Sequence, residues 1–145
     1  MLLTGPNSSL VMFSHFTVKQ ANEMLPSIIK KFSELTNLKN KVIEIQTEME
    51  TNPKYMSSFK EYILKKQEFN TAISNFYKAV EEIESTGVVM KSVEEGLLDF
   101  PSLRFNEEIW LCWKKGETEI KFWHGKDEGF NGRKPLETFD VEKLR

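Results

Sequence analysis

The chain has 145 residues, 39% of them hydrophobic and 29% charged, which reads as one soluble globular domain and excludes a disordered one. Its formal net charge of -2 speaks against a general nucleic-acid binder, which needs a basic face for phosphates. A single cysteine excludes an internal disulfide framework and any zinc site built on several thiolates, and it fits a reducing, cytoplasmic compartment.

No apolar run is long enough to span a bilayer, so no membrane partner is expected. Residues 1–13 hold no Lys or Arg and only a short apolar patch, unlike a secretory signal, and 1–15 reads as a loose extension. One domain is expected over 16–145: a helical hairpin over 16–86, a small antiparallel sheet and loop over 87–136, and a tail over 137–145.

The first helix is predicted to start at Phe16-Thr17, where the Thr17 hydroxyl and Gln20, three residues on, match a capping box. Phe16 before the cap is placed to staple against Ala21. Apolar residues then recur at Leu25, Ile28, Phe32, Leu35, Leu38, Val42, Ile45 and Met49, the spacing of one buried stripe. Pro26 inside this pattern is expected to kink the first turns or to make the regular helix begin near it.

Asn52-Pro53 suits an N-cap followed by the first helical position. A second stripe follows at Met56, Phe59, Ile63, Phe69, Ile73, Phe76, Val80 and Ile83, and Gly87 ends it. So short a break predicts an antiparallel, coiled-coil-like hairpin with arms of roughly 45 Å. A lone hairpin leaves part of each stripe wet. Either the C-terminal block covers it, or the hairpin of a second copy does, giving a homodimer through the helices.

Residues 87–91 read as a first strand and 94–96 as a turn. A second strand over 97–100 is stopped by Pro101. Residues 109–113 and 119–124 read as a hairpin around Lys115-Gly116, with Leu111 opposite Ile120 and Ile109 opposite Phe122. That register puts Trp110, Cys112 and Trp123 on the outer face, under a covering loop that carries Phe130 and Leu136, or against a partner or ligand.

Several segments together are similar to a prokaryotic family known as domain of unknown function 2203. They are Phe16-Thr17, Ala21-Asn22, Leu25-Pro26, Gly96-Leu97-Leu98-Asp99-Phe100-Pro101, Leu111-Cys112-Trp113, Phe122-Trp123-His124 and Gly129-Phe130-Asn131-Gly132-Arg133. The resemblance implies an α+β fold, a helical hairpin with a small appended sheet. It implies no activity.

The chemistry-bearing residues concentrate between Asp99 and Arg133. His124 sits where a strand gives way to a loop, four residues before Glu128, and suits a general base or a metal ligand. A divalent metal held by His124 and Glu128 wants a third ligand from Asp99, Asp127 or Cys112, and Asp99 is preferred. Cys112 itself reads first as a packed thiol. In Gly129-Phe130-Asn131-Gly132-Arg133 the glycines permit left-handed backbone or close approach, and Arg133 offers a fork for a small anion. The competing reading pairs Arg133 with Asp99, Asp127 or Glu128. Arg104 joins the candidate ligand-binding set beside Asp99. No serine elbow or nucleotide loop is present.

Two readings follow. The favoured one is a noncatalytic, dimeric binding module with an aromatic sheet face and a polar pocket. The alternative is a small metal-dependent or acid–base enzyme using Asp99, His124, Glu128 and Arg133.

Overall fold

The computed structural model describes residues 15–143. The loose extension expected over 1–15 therefore lies almost wholly outside the described residues. The fold is α+β: α1 (Val18–Thr51), a short α2 (Lys54–Ser57), α3 (Phe59–Glu84), an antiparallel sheet, and α4 (Thr138–Lys143). The sheet is a meander, β1 (Val89–Ser92), β2 (Leu97–Arg104), β3 (Glu107–Lys114), β4 (Phe122–Gly125) and β5 (Lys134–Pro135), with each strand beside its neighbour in sequence. The chain falls into two compact units, one of Lys31–Glu82 and one of the residues on either side.

The helical unit pairs α1 and α3 antiparallel. Lys31 bridges Glu82 at 2.7 Å, and Lys65 bridges Glu48. Both pairs have the same sum of residue numbers, as antiparallel helices require. Phe32, Leu35 and Ile45 of the first stripe are buried. The second stripe departs from expectation at its start, because Met56, Phe59 and Ile63 are exposed and the buried residues there are Tyr55 and Ala72. A second cap also intervenes between the helices. Asn52 Oδ1 accepts from the Lys54 N–H, and Ser58 Oγ then accepts from the Glu61 N–H to start α3.

The other unit holds the start of α1 against one face of the sheet. The capping box forms: Gln20 N–H donates to Thr17 Oγ1, and Thr17 N–H donates to Gln20 Oε1, both at 3.0 Å. The helix begins at Val18 and runs through Pro26, so the proline does not set its start. Phe16 lies edge-on to Phe100 with ring centres 5.3 Å apart, its N–H donates to the Pro101 carbonyl, and Ser102 Oγ donates to the Phe16 carbonyl. Asn22 Oδ1 accepts the Ile120 N–H.

Strand β2 continues past Pro101 rather than stopping there. Proline is tolerated because β1 pairs only as far as Asp99, so no ladder donor is missing at position 101. The β2–β3 turn is a two-residue hairpin at Phe105-Asn106, both with positive φ, 53° and 66°. Residues 138–143, expected to be a tail, are helical, and buried Asp140 accepts from Arg104 Nε at 2.9 Å.

The β3–β4 register differs from the predicted one by three residues, since Leu111 faces Trp123 and not Ile120. An odd shift exchanges the faces of a strand. Trp123 therefore lies on the helix-facing side with Leu98, Phe100, Leu111 and Trp113, whereas His124 and Phe122 lie on the opposite side with Trp110 and Cys112. The expected outer platform of Trp110 and Trp123 does not exist. Among the described residues no helix is long and apolar enough to cross a membrane.

Candidate functional site

Residues directly opposite in an antiparallel ladder point to the same face. The two-residue turn at Phe105-Asn106 sets Arg104 against Glu107, and counting back sets Asp99 against Cys112. The β3–β4 ladder sets Trp110 against His124, one step along the same face. Three strands thus bring Asp99, Cys112 and His124 together, all three buried, with one ligand atom from each lying within 4.8 Å of the others.

The imidazole is oriented from both sides. Nδ1 lies 3.0 Å from the Gly125 carbonyl, which only accepts, so Nδ1 carries a proton. Nε2 lies 3.1 Å from Asp99 Oδ2. The proton in that contact comes from an imidazolium or from a carboxylic acid. Burial raises the Asp99 carboxyl above its ordinary value, opposed by His124 and then by Lys91, whose ammonium is 4.0 Å away. The Cys112 thiol also hydrogen-bonds Asp99, and burial together with that carboxylate pushes it up to about 12.

A cavity of about 100 Å³ opens beside the trio, lined by Lys91, Leu97, Glu128, Gly129 and Phe130 as well. Its floor is the sheet and its far wall is the loop after β4. Lys91 crosses it with its ammonium 4.2 Å from the Trp110 ring.

Two of the expected metal ligands, Asp99 and His124, meet. The third, Glu128, lines the cavity but is otherwise engaged: its Oε1 accepts from the Gly125 N–H and from Lys134, each at 2.7 Å. Lys134 holds its carboxyl below the ordinary range. Cys112, read first as a packed thiol, occupies the third place. Asp127 is exposed and outside the cluster.

Arg133 pairs with none of the acids expected for it. It donates to both oxygens of Glu117 at 2.8 and 2.7 Å and lies between the Phe122 and Phe130 rings, with its Nε buried and unpartnered. Arg104 points to the other face of the sheet, over Trp123, and bonds Asp140 and Glu137. In the glycine loop only Gly132 is required for close approach, since a Cβ there would stand 2.9 Å from Glu128 Cβ. Gly129 has extended backbone and open space around it.

The signal that sequence reading missed is the Phe105-Asn106 turn. With it, the Asp99–Cys112 pairing is arithmetic.

No curated protein and no solved structure matches this chain. The family described as Uncharacterized conserved protein (DUF2203) matches residues 14–136. That span begins just before the capping box, ends just after β5, and includes every residue of the buried trio. The chain belongs to the DUF2203 family.

Proposed function

We propose that this chain is a divalent-metal-binding protein, with Asp99, Cys112 and His124 as the protein ligands. The observation that carries the reading is the convergence of a carboxylate, a thiol and an imidazole nitrogen within 4.8 Å in a buried place. Ligand atoms on one tetrahedral ion stand about 3.3–3.8 Å apart, so small side-chain movements close the set. His124 supports the reading in a second way. Its Nδ1 proton is committed to a backbone carbonyl, which leaves Nε2 to act as a ligand, the usual outer arrangement of a metal-bound histidine.

The donor set favours a zinc-like transition ion over calcium or magnesium, because a thiolate is a soft ligand. A dication between Nε2 and Oδ2 replaces the shared proton, and a second proton leaves the thiol. The two anionic ligands then balance the ion's charge. Three protein ligands beside an open cavity leave a further coordination position. Metal analysis of protein purified without chelator tests the reading: about one equivalent of metal in the wild type and none in His124→Ala is expected. Metal-free protein that takes up no zinc on reconstitution contradicts it.

A second copy remains the partner we propose for the helices. Exposed Met56, Phe59 and Leu64 support this reading. Phe59→Glu is expected to halve the mass seen by light scattering, and a wild-type monomer at high concentration contradicts it.

A further inference from the structure

We infer that the open side of the Asp99–Cys112–His124 site takes a small monocarboxylate, held between the ion and the Lys91 ammonium. This rests on the metal reading above.

The charges indicate it. Without metal, Lys91 has a compensating neighbour in Asp99, 4.0 Å away. When Asp99 and the Cys112 thiolate serve a dication, their two charges are spent on it. Glu128 does not replace them as a partner for Lys91, because Lys134 already neutralises it at 2.7 Å. The cavity side of the site is then left with one surplus positive charge, on Lys91. That charge stays at the cavity because the lysine lies 4.2 Å over the Trp110 ring.

The shape indicates it too. The cavity of about 100 Å³ holds several waters' worth of space, enough for an ion and a few further heavy atoms. One open coordination position and one ammonium match the two oxygens of a single carboxylate. The remaining wall is apolar at Leu97 and Phe130, which suits a short hydrocarbon portion. Among the described residues no arginine and no lysine other than Lys91 lines the cavity, as a phosphate dianion would prefer.

The test uses Co²⁺-loaded full-length protein, read by its visible absorption, with sodium acetate as the probe and inorganic phosphate as the comparison. Acetate is expected to shift the spectrum and saturate. Lys91→Met is expected to keep one equivalent of Co²⁺ and to bind acetate about tenfold or more weakly, and Lys91→Arg to restore most of the response. A Co²⁺-loaded wild type that ignores acetate overturns this inference and leaves the metal reading standing. So does a Lys91→Met response equal to wild type, or a response to phosphate that exceeds that to acetate. Failure to hold Co²⁺ at all overturns both.

Discussion

His124 Nε2 stands 3.1 Å from Asp99 Oδ2 while the other ring nitrogen donates to the Gly125 carbonyl. The two side chains are both buried, so each is the other's main compensation for lost water. Removing one member of a buried pair costs about 3–5 kcal/mol when the survivor stays charged. Asp99 has an escape, since burial already favours its protonated form. His124→Ala is therefore expected to lose about 2–3 kcal/mol in urea unfolding. Asp99→Asn, which still offers a donor to Nε2, is expected to lose less. Wild-type stability in His124→Ala contradicts the pairing.

Cys112 is expected to be inert in the metal-free protein. Its thiol is pushed up to about 12 from an ordinary 9.0. At pH 8 the thiolate fraction is then about one in ten thousand, and iodoacetamide labelling is expected only after unfolding. The same shift has a stability sign. The unfolded thiol releases its proton near 9.0, while the folded one keeps it to about 12. Stability from this group is therefore full below the lower value and falls as pH rises between the two. Cys112→Ala is expected to flatten the alkaline decline of the melting temperature. Rapid labelling of folded protein at pH 8 contradicts the assignment.

Glu128 separates the structural site from the one expected on sequence grounds. Its Oε1 pins the Gly125 N–H and meets Lys134. Glu128→Ala is expected to lower stability only slightly, since its pair with Lys134 is exposed, and to leave metal stoichiometry unchanged. Loss of metal in that variant, with the fold intact by circular dichroism, puts Glu128 back among the ligands.

Gly96 closes the β1–β2 turn at φ +72°, and a Cβ there would stand 2.5 Å from Lys115 Cβ. Its carbonyl accepts the Lys115 N–H at 2.8 Å. Gly96→Ala combines left-handed strain with a clash and is expected to cost about 2–3 kcal/mol, read as a melting-temperature drop of several degrees. An unchanged melting temperature contradicts this turn geometry.

The helical part of the fold was legible because its signals are local. Thr17 and Gln20 lie one turn apart, and the pairing of their side chains with each other's N–H groups follows from spacing alone. The sheet's registers were not legible, because distant residues decide them. Asn106 suits positive φ but Phe105 is not a residue type that advertises it, so the hairpin that sets Asp99 against Cys112 left only half of a turn signature. The β3–β4 loop is longer than its Lys-Gly turn suggests. Glu117 folds back to accept the Lys114 N–H, its carbonyl accepts from Trp113 Nε1, and Arg133 clamps its carboxylate. Asn22, on the helix, takes the Ile120 N–H, and that residue is lost to the strand. The three-residue shift that results is odd, which is why His124 joins Cys112 and why Trp123 leaves Trp110. Asp99 and His124 were found by residue type, whereas Arg104 and Asp127 were drawn in by proximity in sequence alone.

The central claim, that a thiolate, an imidazole and a carboxylate of one sheet face hold one cation, is tested most directly by the near-ultraviolet absorption of the Co²⁺-loaded chain. A thiolate-to-metal band in the wild type that disappears in Cys112→Ala is the expected result. Co²⁺ bound with no such band, or with a band that persists in Cys112→Ala, contradicts it.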